Sequence, residues 1–347
     1  MVEFNSGIQT KNDRLSVRDS ESEIQNICED FKNLTREELV AKYDLKDSAG
    51  WKIDNAISDI KHSNISIIDI MYRTFDIKKT LYTGHSSGFI GRPREKITKH
   101  FINNPNIAIL LRRNTPPVSF THVFITDCMV SEGVLGIDPN GRESVFPLYL
   151  YNQEFGNTVC YANLNSEILS RISDSLSLKY STSKEFYQSS FSPIDLLDYI
   201  YAVLYSPNYR EKYKEFLKID FPRVPYPTDQ ETFWKLVEIG GKLRECHLMQ
   251  TEFDTEPYSF IGDGTNEVVK PEYKNGRVYI SKTQYFDNVP QAQWEQYIGG
   301  YQPLQKWLKD RKKTALSAED IEHYKKIIAD LRLTEELMAE IDQVVEF

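Results

Sequence analysis

Apolar side chains change their spacing along the 347-residue chain, and each change marks a different kind of element. Residues 20–62 set apolar positions at helical intervals among many charges. Thr35 followed by Glu38 three residues later has the form of a capping box, so this stretch predicts surface helices. From about residue 66 the runs shorten. Ile67–Arg73 and Leu81–Thr83 are brief and β-prone, Asn106–Leu111 suits a buried strand, and Val118–Thr126 alternates as a half-buried strand does. Between them Pro93, a favoured first helical residue, predicts a helix with Ile97 and Phe101 inward and a Glu95–Lys99 pair outward.

Helical spacing takes over from residue 192. Ser192-Pro193 opens a helix whose Ile194, Leu197, Tyr201 and Leu204 share one face, and Ser206-Pro207 opens another through Leu217. Phe221–Pro227 is proline-rich and extended, a connector. Thr228 and Glu231 read as a second capping box, ahead of Phe233, Leu236, Val237 and Leu243. Asn275-Gly276 is a hairpin turn signal, and closing helices are predicted from Pro303, Ser317 and Thr334. The pattern is α+β: a helical lead-in (1–65), a strand-rich part with one inserted helix (66–191) and a mainly helical part with a β-hairpin (192–347). No internal repeat or low-complexity tract interrupts it.

Composition narrows the class. The chain is 40% hydrophobic and 27% charged, with 21 Tyr and 18 Phe, which argues for folded domains over disorder. No apolar run approaches the ~18 residues that span a bilayer, and the polar N-terminus lacks a signal-peptide core. Cys28, Cys128, Cys160 and Cys246 have no paired spacing, which suits a reducing cytoplasm and neither a disulfide framework nor a zinc knuckle. The six histidines lack metal-ligand spacing, and the phosphate-loop and Gly-x-Gly-x-x-Gly signatures are missing. Thr115-Pro116-Pro117-Val118 has the paired prolines of the adenine methyltransferase loop. It lacks the amide or acid for the amino group and the aromatic that stacks on a flipped base, so it reads as a rigid loop. Gly262-Asp263-Gly264 reads as a turn. No catalytic constellation emerges.

Charge changes the picture more. The chain carries −9 overall, yet residues 71–120 hold nine basic residues against two acidic ones. Residues 301–313 hold five against one, and residues 314–347 hold nine acids against three bases. Within the first block, Gly84–Gly91 runs into Arg92-Pro93-Arg94. Glycines let backbone N–H groups approach an oxyanion, a following helix start adds partial positive charge, and Ser86, Ser87, Arg92, Arg94 and Lys96 can all donate to phosphate. A tight turn with a solvated basic face fits the same residues. In the second block Leu304, Trp307 and Leu308 mark a buried side. Lys306, Lys309, Arg311, Lys312 and Lys313 are candidates to track a phosphate backbone, or form a solvated basic helix face. Tyr285, Phe286 and Tyr297 fit either base stacking or a core.

These blocks also carry a resemblance. Tyr72-Arg73-Thr74-Phe75-Asp76, Tyr82-Thr83-Gly84 and Gly91-Arg92-Pro93-Arg94 resemble the YRPFD, YTG and GRPR region of large adenine-specific DNA methyltransferases, with Thr74 at the family's usual proline. Phe120–Asp127, Val145–Tyr151, Asp198–Pro207, Tyr213–Arg223 and Ile298–Arg311 follow in that family's order. Together they resemble the C-terminal specificity domain of type ISP restriction–modification enzymes, from about residue 5 onward. The resemblance implies a target recognition domain for double-stranded DNA, without catalysis or cofactor of its own. It implies a methyltransferase domain ending near Asn5–Asp13 and a helicase-like ATPase, in the same or a partner chain. S-adenosylmethionine and ATP with Mg would belong to those domains. The other reading is a scaffold module that docks on the methyltransferase or helicase-like parts.

Overall fold

The computed structural model describes residues 1–114, 120–136, 142–184 and 189–347; the Thr115–Val118 loop and the start of the strand predicted from Val118 lie outside them. The elements begin with helices α1 (Asp13–Ser16), α2 (Glu21–Asn33), α3 (Arg36–Tyr43) and α4 (Ile53–His62), strands β1 (Ser66–Arg73) and β2 (Asp76–Tyr82), and a short α5 (Glu95–Thr98). Strands β3 (Ala108–Arg112), β4 (Val123–Thr126), β5 (Met129–Val130), β6 (Glu143–Pro147), β7 (Tyr149–Glu154) and β8 (Asn157–Ala162) follow, then α6 (Ser166–Leu176), β9 (Lys179–Tyr180) and β10 (Ser190–Phe191). Next come α7 (Pro193–Tyr205), α8 (Pro207–Lys212), α9 (Lys214–Leu217) and α10 (Gln230–His247). The chain closes with β11 (Phe260–Ile261), β12 (Glu272–Lys274), β13 (Arg277–Tyr279), β14 (Tyr285–Phe286), α11 (Gln291–Glu295), α12 (Pro303–Asp310) and α13 (Ala318–Val344). The class is α+β, as the pattern predicts. Among the described residues no helix is long and apolar enough to cross a membrane.

Residues 1–111 and 126–163 form one unit, and 112–125 with 164–347 form a second. In the first, β1 and β2 pair antiparallel from Ser66↔Tyr82 to Met71↔Ile77, and β5 joins β1 in parallel. Ile24, Phe31, Leu39, Ile53 and Ile60 from α2, α3 and α4 share one core with Ile70, Leu81 and Phe89. The lead-in helices and the strands therefore lose their apolar faces to each other. Both early helices start as their sequence dictates, with reciprocal capping boxes at Ser20/Glu23 and Thr35/Glu38.

In the second unit α7 is apolar nearly all round. Eleven of its 13 residues are buried, and it starts at a Ser192/Asp195 capping box with Pro193 in the first turn. It packs on α10 and α13. β11, β14, β13 and β12 form a small antiparallel sheet, with Asn275-Gly276 turning β12 into β13 at φ 49° and 80°.

Several boundaries differ from expectation. Pro93 does not open a helix, because Arg94 adopts the left-handed conformation at φ 54°; α5 has four residues and passes into a 3₁₀ turn, Lys99–Phe101. β4 is buried at all four positions and does not alternate. The helix from Pro207 breaks at Tyr213 into α8 and α9. Asp229, a stronger acceptor one residue after Thr228, caps α10 through the Thr232 N–H. No helix starts at Thr334: α13 runs unbroken through it for 27 residues.

Candidate nucleic-acid interface

The glycine-rich loop at 84–91 does wrap an anion, but that anion is the protein's own. Asp59, 7% exposed near the end of α4, accepts from the Phe89 N–H at 2.8 Å, Thr83 Oγ1 at 2.8 Å and Ser63 Oγ at 2.8 Å; His85 Nδ1 lies 3.0 Å away. Burial alone would raise the Asp59 carboxyl. The hydrogen bonds from Phe89, Ser63, His85 and Thr83 outweigh it and hold the group below its usual range. Gly88 is glycine because a Cβ there would come within 2.1 Å of Asp59 Oδ2. Trp51 Nε1 donates to Phe89 O at 3.0 Å and closes the loop from below. Ser86 and Ser87 face outward on this rigid turn, Ser87 at φ 60° with its N–H donating to Gly91 O.

The basic residues of the first block separate into two groups. Lys78 pairs with Asp19 and Asp76, Lys79 with Asp69, and Lys96 with Glu3 at 3.0 Å. Arg94 is half-buried, its Nε lacks a hydrogen-bond partner among the described residues, and burial is the main cause lowering its pKa. Arg92 and Lys99 are exposed and enter no ion pair among the described residues. Gln9 and Arg92 exchange backbone hydrogen bonds at 3.0 and 2.9 Å, which brings residues 9–11 against the loop. A Cβ on Gly91 would lie 2.5 Å from Lys11 Cγ, so exposed Lys11 runs beside Arg92. This pairing spans some eighty residues and left no local signal in the sequence.

In the second block Lys306 pairs with Asp310 and lies over the Tyr301 ring at 5.4 Å. The Arg311 guanidinium sits 3.6 Å from the Trp307 ring centre and 3.5 Å from Asp320, joining α12 to the start of α13. Both side chains have structural work. Lys309, Lys312 and Lys313 are exposed, with Lys309 Nζ donating to Gln305 Oε1 at 3.2 Å. Phe286 is wholly buried and Tyr285 stacks beside Arg277, whereas Tyr297 is 51% exposed.

Comparison with curated proteins yields no match. Among solved structures the chain is similar to the ATP-dependent type ISP restriction–modification enzyme LlaBIII bound to DNA, at TM-score 0.69 and 17% identity over 99% of this chain and 23% of that one. It is similar to DrdV in a DNA complex, at TM-score 0.70 and 19% identity over 98% of this chain and 35% of that one. It is also similar to a nuclease-deletion mutant of the type ISP enzyme LlaGI with a DNA substrate mimic, at TM-score 0.65 and 17% identity, covering 97% and 27%. The chain thus spans between about a quarter and a third of the length of these enzymes. These likenesses establish the fold. The sequence model of the type ISP C-terminal specificity domain matches residues 1–340, and the chain belongs to that family.

Proposed function

We propose that this chain is the DNA target-recognition module of a type ISP restriction–modification enzyme. In that role it holds duplex DNA for N6-adenine methylation, and for cleavage, by methyltransferase and helicase-like domains outside these residues. S-adenosylmethionine and ATP with Mg serve those domains. The observation that carries this reading is the specificity-domain match over residues 1–340. Support comes from the fold likeness to three enzymes whose structures contain DNA or a DNA mimic. On this chain Arg92, Lys99 and Lys11, together with Ser86 and Ser87, supply phosphate contacts from a turn that Asp59 already holds rigid.

The test is an anisotropy titration of the full chain with a labelled duplex at two salt concentrations. Binding that weakens steeply with salt supports the reading. A folded chain that binds no duplex at low salt would sink it.

A further inference from the structure

The β7–β8 hairpin is a separate two-stranded ribbon in the first unit. Among the described residues its strands pair only with each other, over six residue pairs from Tyr149↔Ala162 to Glu154↔Asn157, and none of their residues is fully buried. Taken alone, a two-stranded ribbon is only marginally stable in water. Its root is nonetheless fixed. The Asn106 amide donates to Tyr149 O at 2.8 Å and accepts from the Tyr149 N–H at 3.1 Å, and the Tyr151 N–H donates to His100 Nδ1 at 2.9 Å. Asn106 and His100 are 6% and 3% exposed, so the ribbon projects from a rigid base. Exposed Lys99 precedes His100 at that base.

The tip is chemically odd. Phe155-Gly156 makes a two-residue turn at φ 48° and 83°. Such a primed turn favours Asn, Asp or Gly at its first position, as the β12–β13 hairpin has with Asn275-Gly276 at φ 49° and 80°; Phe75, at φ 61° in the β1–β2 turn, is by contrast 3% exposed and packs inside. A bulky aromatic is disfavoured in this left-handed region. Phe155 gains nothing inside the protein in return, because it is 104% exposed. A residue that strains the turn and touches no core suits an outside partner. Around it Asn152, Gln153, Asn157 and Thr158 are exposed, uncharged hydrogen-bonding side chains. The hairpin's one charge, Glu154, accepts from Tyr161 Oη at 2.7 Å.

An acidic protein surface would call for cations along the ribbon, and its sequence has none; Leu150, Val159 and Tyr161 share one face towards the root, with Leu150 and Val159 partly covered, while the exposed tip carries the uncharged polar side chains. Uncharged amides at the end and a cation at the root match a duplex, with phosphates at the groove rim and base edges within. A two-stranded ribbon also fits the ~12 Å width of the major groove. We propose that the β7–β8 hairpin enters the major groove of duplex DNA, setting Phe155 against the bases and Asn152, Gln153, Asn157 and Thr158 against their edges, while Lys99 meets a phosphate. This rests on the target-recognition reading above and assigns where on the chain bases are read.

Cys160, exposed on β8, provides a built-in reporter. The probe is the duplex that the full chain enriches from a random-sequence library, with a scrambled duplex beside it. Alkylation of Cys160 by N-ethylmaleimide, followed by peptide mass spectrometry, is expected to slow several-fold with the enriched duplex while Cys28 on α2 reacts as before. Phe155→Asn relieves the turn, so its melting temperature is expected to equal or exceed that of the wild type. Its affinity for the enriched duplex is expected to fall about tenfold, the size of losing one good base contact, with the scrambled duplex little changed. If the wild type binds DNA in a salt-sensitive way while Cys160 reacts at an unchanged rate and Phe155→Asn binds as the wild type does, the hairpin assignment is overturned and target recognition stands. If the wild type binds no duplex at all, both fall.

Discussion

Asp59 and Gly88 show at single-residue scale which anion the glycine-rich loop holds. The loop's glycines, hydroxyls and free N–H groups are anion-holding chemistry, legible from residues 84–91 alone. What was not legible is that a carboxylate on α4, some thirty residues upstream, fills the cradle. Gly88→Ala drives a methyl into that carboxylate, 2.1 Å from Oδ2, and is expected to destabilise the chain by about 1–3 kcal/mol in urea melts. A stability equal to the wild type would show that the loop tolerates a displaced Asp59. A second residue-scale prediction concerns Asp330, which is 0% exposed inside the second unit. Burial pushes its carboxyl up to about 7, with hydrogen bonds from Cys246 and Thr334 opposing. The folded value lies above the unfolded one of about 3.9. The contribution of Asp330 to stability is therefore full below pH ~4 and is lost as pH rises towards 7. Asn has the same shape and does not ionise. The stability advantage of Asp330→Asn over wild type is expected to grow by roughly 2.5 kcal/mol between pH 5 and pH 8. His247, whose Nε2 lies 3.8 Å from Asp330 Oδ1, is lowered to about 3 by burial and by Arg210. Denaturation curves at the two pH values check this, and a pH-independent difference contradicts it.

Between elements, local signals and long-range packing divided the information. Thr35/Glu38, Ser192-Pro193, Ser317 and Asn275-Gly276 act through hydrogen bonds and dihedrals within four residues, and each forms where its sequence places it. Thr334 looked like another helix start because a Thr before acidic residues can cap. Its hydroxyl instead lies 2.8 Å from His247 Nε2 on α10, a partner supplied only by the fold. The contact between α7 and α10 was equally hidden. Gly240 on α10 lies so close to α7 that a Cβ would stand 1.9 Å from Asp198 O, and Arg244 grips the Asp198 carboxylate at 2.7 and 3.1 Å one turn further on. Backbone atoms cannot step aside as a flexible side chain can. Gly240→Ala is therefore expected to cost at least as much as an ordinary overpacked core site, about 1–3 kcal/mol, and to loosen both helices. Amide hydrogen exchange along α7 and α10 reads this directly. Unchanged protection in both helices would mean that the pair can part without cost.

At the scale of the whole chain, counting charge along the sequence overstated the first basic block. Nine basic residues fall within 71–120, but Lys78, Lys79 and Lys96 have carboxylate partners and Arg94 is half-buried. Opposite charges separated by dozens of residues meet only after folding, so a one-dimensional count cannot cancel them. Arg92 and Lys99 survive the pairing, and Lys11 joins them through the Gln9–Arg92 backbone contact. The quantity that distinguishes these cations from the paired ones is counterion release. Each phosphate contact contributes about 0.9 to the slope of log affinity against log salt. Arg92→Ala with Lys99→Ala is expected to reduce that slope by up to about 2 at unchanged stability. Lys306→Ala with Arg311→Ala removes side chains held by Asp310, Trp307 and Asp320. That pair is expected to lower the melting temperature and leave the slope within error. Titrations of both double variants over several salt concentrations, with melts alongside, separate the two. A slope lost with Lys306 and Arg311 and retained without Arg92 and Lys99 would contradict the proposed phosphate contacts of the first block and favour the second.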